Sequence, residues 1–289
     1  MLNMPDTPLV SIIMNCYNGE RYLSEAINSV YSQTYKNWEI IFWDNASTDN
    51  TAEIAQSYDK KLKYFRSQET TVLGEARVCA VEKSRGQYLA FLDCDDFWEV
   101  DKLEEQISLF DKNKDTGMVY GRTRIINHNS KDYIDMKGVI LPTGNVFNLL
   151  AKKEAFIIFS SIIIDKTAYK KIGGFDKGLA GSMDYALYLG ISNNYFIDAV
   201  QDVCCNYRVH SNNLSHKISI VIAQESVDVL KAYLPDTRVY YGLKYLYAAL
   251  VVANIKERKY MHALALMLRY RVAFRVLKRL YNYLFSKHS

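Results

Sequence analysis

Apolar positions in the first hundred residues follow two alternating rhythms. Leu9-Val10-Ser11-Ile12-Ile13-Met14 is a short continuous run, the mark of a strand buried on both faces. Leu23, Ala26, Ile27 and Val30 then recur at helical spacing and predict a helix over residues 22–32. A second strand is predicted over residues 38–43. A helix over residues 51–58 follows, which Asp49 or Asn50 can cap. Residues 62–65 read as a third strand and residues 74–84 as a helix. Arg85-Gly86 then turns the chain into the apolar run Tyr88-Leu89-Ala90-Phe91-Leu92. Strands alternating with helices predict an α/β fold with a doubly wound, mostly parallel sheet flanked by helices.

Ligands of such sheets bind beyond the carboxyl ends of the strands. Asn15-Cys16-Tyr17, Asp44-Asn45 and Asp93-Cys94-Asp95 each follow a predicted strand end. The pattern therefore brings all three to one crevice. Further along, residues 101–112 are helical by period, with Leu103, Ile107 and Phe110 inward. Residues 118–127, 156–165 and 200–209 read as strands. Residues 167–172 form a short helix ended by Gly173-Gly174, and residues 182–191 another helix. Beyond about residue 216 the pattern is helical throughout, a C-terminal helical extension.

Composition narrows the chemistry. A net charge of +4 is too mild for a nucleic-acid partner. The five cysteines (Cys16, Cys79, Cys94, Cys204, Cys205) lack metal or disulfide spacing, so a reducing cytoplasm fits best. The first residues lack the basic and apolar regions of a signal peptide, and no apolar run of about 18 residues predicts a spanning helix.

The turn after the first strand, Asn15-Cys16-Tyr17-Asn18-Gly19-Glu20, has a single glycine, so it is not a dinucleotide fingerprint. The P-loop pattern is also absent. A sugar-phosphate nucleotidyltransferase would want a glycine-rich basic loop at this turn. The crevice offers carboxylates instead. Asp93 and Asp95, alternate residues of an extended segment, point the same way. Together they suit Mg²⁺ or Mn²⁺, which take one or two carboxylates and complete their shells with water and substrate phosphate oxygens. Taken alone, the acidic loop also reads as a solvated turn in which Asp96 caps the next helix.

The stretch from Pro8 through "SIIMNCYNGERYLSEAINSVYSQTYKNWEIIFWDNASTDNT", followed by "GEARVCAVEKSRGQYLAFLDCDDFW", resembles the nucleotide-binding half of family 2 glycosyltransferases. "GGFD" at 173–176, Asp184 and "YRVHSNNLS" at 207–215 resemble the acceptor half. The resemblance implies a GT-A fold over residues 1–216, with a nucleotide-binding half at about 8–115 and an acceptor half at about 116–216. Residues 217–289 would be the helical region. It implies an inverting transferase that moves a sugar from a nucleoside-diphosphate donor, a UDP-sugar being favoured. The acceptor would be a hydroxyl of a glycan or lipid-linked molecule in surface polysaccharide synthesis.

By position, Asn15, Cys16, Tyr17, Asp44 and Asn45 would hold the nucleobase, although the family commonly has Asp where Asn45 stands. Arg77 would sit beside the base or diphosphate, against the alternative of an exposed helix arginine. Asp93 and Cys94 would line the nucleotide, and Asp95, with Asp93 and His210, the metal. Asp184 would be the general base; Met183 stands where the family often has a second acid. Ser215 belongs with His210 in the family's closing loop. The alternative to catalysis is a nucleotide-sugar-binding partner in a polysaccharide complex.

The tail carries its own pattern. Ala263, Met267, Tyr270, Phe274, Leu277, Tyr281 and Leu284 form an apolar helical stripe, with Arg271, Arg275 and Arg279 opposite and Arg269 to one side. The stripe is expected either to lie on the inner face of a membrane or to pack on its own domain or a second subunit.

Overall fold

The computed structural model describes residues 7–127, 133–134, 139–273 and 275–276. The first half runs β1 (Val10–Cys16), α1 (Glu20–Tyr31), β2 (Trp38–Asp44), α2 (Thr51–Gln56), β3 (Leu62–Arg66), α3 (Leu73–Glu82) and β4 (Tyr88–Phe91). The two-residue β5 (Phe97–Trp98) and α4 (Lys102–Lys112) complete it. Next come β6 (Thr116–Asn127), β7 (Tyr133–Ile134), α5 (Phe147–Lys152), β8 (Ile163–Asp165), α6 (Lys166–Lys171), α7 (Met183–Asn194) and β9 (Phe196–Val209). The chain ends in helices α8 (Leu214–Lys217), α9 (Ser219–Lys231), α10 (Val239–Lys256) and α11 (Tyr260–Tyr270).

The strands form one sheet in the order β3-β2-β1-β4-β8-β6-β9-β5, with β7 pairing β6. The pairs β3–β2, β2–β1, β1–β4 and β6–β9 are parallel, while β8 and β5 run against their neighbours. The doubly wound, mostly parallel sheet expected from the sequence is present. Successive strand residues serve opposite faces. Ile13, Ile41, Leu89 and Phe91 pack with Ala80 of α3 and Leu187 of α7. Ile12, Ile40, Phe42 and Ala90 pack with Leu23 and Ile27 of α1 and Leu103 and Ile107 of α4. Burial on both sides explains why these strands read as unbroken apolar runs. The C-terminal helices join the first face through Val227, Leu230, Val239, Leu243 and Leu246.

Two expectations fail. The strand predicted over residues 156–165 is only three residues long, because Phe159–Ser161 form a 3-10 turn ahead of it. That turn frees polar groups for long-range work: Ser160 O accepts from Trp98 Nε1 (2.7 Å) and Ser161 O from Gln106 Nε2 (2.8 Å). The tail also does not continue as one helix. Arg271 adopts a left-handed conformation (φ 52°) at the end of α11. Ala263, Met267 and Tyr270 pack against α10, and Tyr270 stacks on Tyr247 at 3.6 Å. The first part of the predicted stripe is thus used within the protein; Phe274, Leu277, Arg279, Tyr281 and Leu284 lie outside the described residues.

Candidate active site

β1, β2 and β4 end side by side, so Asn15, Asp44 and the segment after Phe91 meet at one edge of the sheet. The Asp93–Asp96 loop there has three carboxylates, and each finds a different partner. Asp93 Oδ1 accepts from Arg77 Nη2 of α3 at 3.1 Å. Its backbone N–H donates to Ser160 Oγ. Asp95 Oδ2 lies 2.8 Å from His210 Nε2 and 3.3 Å from Asn213 Nδ2, both in the loop after β9. Asp96 accepts from Ser160 Oγ (2.5 Å) and the Arg208 backbone N–H (2.9 Å). Asp96 therefore does not cap the following helix, whose N-cap is Asp101. It is a buried latch tying the loop to β9 and the 3-10 turn.

Arg208 extends that latch. Its side chain is buried, with Nε bonded to Asp95 O, Nη2 paired to Glu25 and the guanidinium 4.5 Å above the Tyr22 ring. His210 has a defined tautomer in this arrangement. Its Nδ1 accepts from the Asn212 N–H (3.2 Å), so the ring proton sits on Nε2 and is donated to Asp95. In this pose the Nε2 of His210, one of the expected metal ligands, faces Asp95. The side chain of Ser215 lies outside the described residues.

Arg77 is buried, which excludes the exposed-arginine alternative. Its guanidinium lies 3.7 Å over the Phe159 ring as well as on Asp93. Close docking of α3 makes this placement possible. A Cβ on Gly74 would sit 2.4 Å from Asp176 O and 2.6 Å from Leu179 O, so only glycine admits that backbone. The 176–179 segment leads directly into α7, where Asp184 occupies the first turn.

Arg77, Asp93 and Asp184 interact electrostatically. Burial raises the Asp184 carboxyl above its ordinary value, opposed by Arg77. Burial raises Asp93 likewise, with Arg77 opposing and the nearby Asp95 and Asp184 adding. Desolvation drives Asp96 furthest up, reinforced by its two acidic neighbours. Asp184 Oδ1 accepts from the adjacent Tyr185 N–H at 2.7 Å.

The remaining expected residues are placed less openly. Asp44 is fully buried and holds Ser47 N, Tyr64 Oη (2.6 Å) and Arg66 Nη1 (2.9 Å). Asn45 uses both ends of its amide on the loop after β3. Nδ2 donates to Thr71 O, and Oδ1 accepts from Thr71 N, Thr71 Oγ1 and Ser67 Oγ. Cys16 and Cys94 are buried, and the Cys94 thiol donates to Asn15 O at 3.5 Å. Their thiols face the interior, leaving backbone for a ligand. Tyr17 is 54% exposed at the rim.

Three residues escaped sequence reading. Tyr188, one turn after Asp184 on α7, has a buried hydroxyl with no hydrogen-bond partner among the described residues. Burial raises its phenol pKa, and the Asp184 charge adds to that. Ser160 bridges Asp93 and Asp96. Glu225, on α9, accepts from the backbone N–H groups of Ala180 (2.7 Å), Gly181 (2.9 Å) and Ser182 (2.9 Å). Ser182, the N-cap of α7, makes no side-chain cap bond, so a carboxylate from another helix satisfies that end.

Residues 11–173, more than half of the chain, match the family model described as glycosyl transferase family 2. The chain belongs to this family. An Escherichia coli member, UDP-Glc:alpha-D-GlcNAc-diphosphoundecaprenol beta-1,3-glucosyltransferase WfgD, is 33% identical over 260 residues, covering 88% of this chain and 97% of WfgD. A second Escherichia coli enzyme named for the same activity, WfaP, is 33% identical over 224 residues, 76% of this chain and 85% of WfaP. An uncharacterized glycosyltransferase of Rickettsia conorii is 35% identical, and the match spans 36% of its length.

Solved structures share the GT-A architecture. The mannosyltransferase PcManGT from Pyrobaculum calidifontis, in complex with GDP-Man and Mn²⁺, aligns with a TM-score of 0.64 at 18% identity. That alignment covers 98% of this family 2 chain and 89% of PcManGT. S. aureus TarS 1-349 in complex with UDP-GlcNAc aligns at 0.61 with 17% identity, covering 86% and 72%.

Proposed function

We propose that this protein is an inverting glycosyltransferase that moves a sugar, glucose being the first candidate, from a UDP-sugar to a hydroxyl of a lipid-diphosphate-linked glycan. The observation that carries the reading is the Arg77–Asp93–Asp184 group by the carboxyl ends of the strands, two carboxyls in the field of one buried guanidinium. The activities for which WfgD and WfaP are named support the donor and acceptor. They also support inversion, because UDP-glucose is α-linked at its diphosphate and their product is β.

Asp184 takes the proton of the acceptor hydroxyl. The hydroxyl oxygen then bonds to the sugar's anomeric carbon from the face opposite the diphosphate. The carbon–oxygen bond to the diphosphate breaks, and its electron pair leaves with the diphosphate. Burial raises the basicity of Asp184, which suits a general base. Arg77 beside Asp93 offers positive charge to the leaving group. The Tyr188 hydroxyl and Asn15 Nδ2, buried and without a partner among the described residues, are polar atoms that a bound substrate would satisfy. Asn15, Tyr17 and the backbone of Cys16 and Cys94 are the surfaces left for the nucleotide.

The donor set fits a divalent cation only in part. Among the described residues, no three His, Cys, Asp or Glu side chains converge on a closed cation site. Asp95, with Asp93 beside it, offers the one or two carboxylates that Mg²⁺ or Mn²⁺ takes when diphosphate oxygens complete the shell. A cation held there would supply charge neutralisation of the leaving diphosphate. His210 enters that set only if its tautomer changes, so it serves first as the hydrogen-bond partner of Asp95.

The test is transfer from UDP-glucose to a GlcNAc-diphospho-lipid analogue, with Mn²⁺, with Mg²⁺ and with chelator. Asp184→Asn is expected to bind UDP-glucose and not transfer; Asp95→Ala is expected to lose the metal-stimulated turnover. Full transfer by Asp184→Asn would remove it as the base. Donor binding without transfer to any acceptor by the unmodified protein would favour a binding partner over an enzyme.

A further inference from the structure

Helix α11 is apolar on two sides. One side, with Ala263, Leu266, Met267 and Tyr270, packs on α10. The other carries Met261 (80% exposed), Leu264 (44%) and Leu268 (69%), spaced by three and four residues. Tyr260 continues this outward row at 61% exposure. An ordinary surface helix turns charged residues to solvent on this side. Here a continuous apolar stripe faces outward instead, the kind of patch that marks an interaction surface.

The charges beside the stripe identify the partner. Arg258 and Lys259 precede the helix and are exposed; Arg269 and Arg271 close it and are exposed. From residue 256 to 273 the only acid is Glu257. A twofold contact between two copies would bring each basic rim against its like, because such an interface is built from the same patch on both subunits. An anionic lipid surface meets both requirements at once, with acyl chains for the stripe and headgroups for the rim. The helix lies on such a surface and does not cross it. Eleven residues span about 16 Å, against about 30 Å for a bilayer core. Among the described residues no helix is long and apolar enough to cross.

We propose that the outward face of α11 docks on an anionic membrane through Met261, Leu264 and Leu268, with Arg258, Lys259 and Arg269 engaging the headgroups. The proposal deepens the reading of a lipid-linked acceptor, since docking would hold the protein where such an acceptor resides. It is tested without donor, acceptor or turnover, so its failure is separable from failure of that reading.

The assay is co-sedimentation of the full chain with vesicles of phosphatidylcholine alone or mixed with phosphatidylglycerol. Binding is expected only with the anionic lipid and is expected to weaken with salt. The triple variant Met261→Ser, Leu264→Ser, Leu268→Ser should bind at least about tenfold more weakly. Arg258→Glu with Arg269→Glu should do the same, each cation being worth about fivefold near such a surface. Circular dichroism melts, unchanged in both variants, would show that the fold persists. Equal binding to both vesicle types, or no loss in either variant, overturns the proposal. A dimer that the serine variant dissociates, with no vesicle binding by the parent, also overturns it and assigns the face to a second copy.

Discussion

Glu225→Ala removes the acceptor of three backbone N–H groups, held at 2.7, 2.9 and 2.9 Å, just ahead of the helix that carries Asp184. A hydrogen bond to a charged group is worth about 1.5–3 kcal/mol, and bonds sharing one carboxylate do not add in full. Glu225 is only partly buried, and water can reach part of what it leaves behind. The expected loss is therefore about 2–4 kcal/mol, a fraction of the 5–15 kcal/mol that holds a typical protein folded. The protein should still fold, with its urea midpoint lowered. Catalysis should suffer more than stability. Ser182 stands two residues before Asp184, and a displacement of about 1 Å in a reacting group can cost about 100-fold in rate. Turnover with saturating acceptor should fall by one to two orders of magnitude, on the order of that estimate. Donor affinity should fall less, because Asp93 is held by Ser160 and Arg77 rests on the Phe159 ring. Glu225→Gln keeps one carbonyl acceptor without the charge and should fall between the two. An unchanged midpoint and unchanged turnover in Glu225→Ala would refute the reasoning. An equal loss of donor affinity and turnover would show that the effect is general loosening and not placement of Asp184.

Arg77→Ala leaves Asp93 without its cation and uncovers the Phe159 ring; because Asp93 is 37% exposed, the cost should be about 1–3 kcal/mol, below that of a fully buried pair, and a urea melt with a donor titration should show both lower stability and weaker donor binding. Asp184 must be ionised to act as base, and burial raises its pKa, so turnover should rise with pH along a limb above the ordinary carboxylate range. A limb at the usual aspartate value would contradict that environment. Burial holds Lys102 down to about 8, whereas the unfolded residue titrates near 10.5. The unfolded chain therefore binds the extra proton between those values, and this residue makes stability rise with pH across that window. Lys102→Met should stabilise the protein at pH 7 by up to about 3 kcal/mol, less what Gln106 loses, and the advantage should fade between pH 8 and 10.5 in urea melts.

The strand ends were readable because a buried parallel strand must be apolar along its length and must stop where its loop meets water. Asn15, Asp44 and Asp93 were found by that change alone. What the carboxylates and amides bond to was not readable. Asn45 looks like a base-reading amide, yet it spends both ends on Thr71 and Ser67. Nothing in the local pattern distinguishes those two fates. The 3-10 turn at Phe159–Ser161 lay inside a run of isoleucine and phenylalanine that any periodicity reads as strand. Glu225 contacts Ser182 from 43 residues away in sequence, and its own helix gives no sign of that task. The α11 stripe packs on its own domain, one of the two fates its spacing allows, and its outward face was hidden for a related reason. One apolar face on a helix signals burial, but two faces can be separated only when the packing partner is known, and α10 claims the one that the spacing picked out.

The acidic loop resolves the repulsion among its charges by dividing its partners. Asp93 is neutralised by Arg77. Asp96 is buried among neutral donors and is driven toward its protonated form by desolvation. Asp95 meets an imidazole whose Nδ1 accepts a hydrogen bond and an amide, neither of them an Arg or Lys cation, and its side chain is 29% exposed. The negative charge that remains open to the crevice is therefore concentrated on Asp95. A hard cation that keeps most of its shell for water and phosphate needs one such carboxylate and tolerates a second beside it. On these grounds Asp95 is the ligand in the proposed mechanism, Asp93 the neighbour that orients Arg77, and Asp96 the residue that fixes the loop to β9. A Mn²⁺ titration should then be lost in Asp95→Ala and retained in Asp96→Asn, provided the latter folds by circular dichroism; retention in both would place the cation elsewhere.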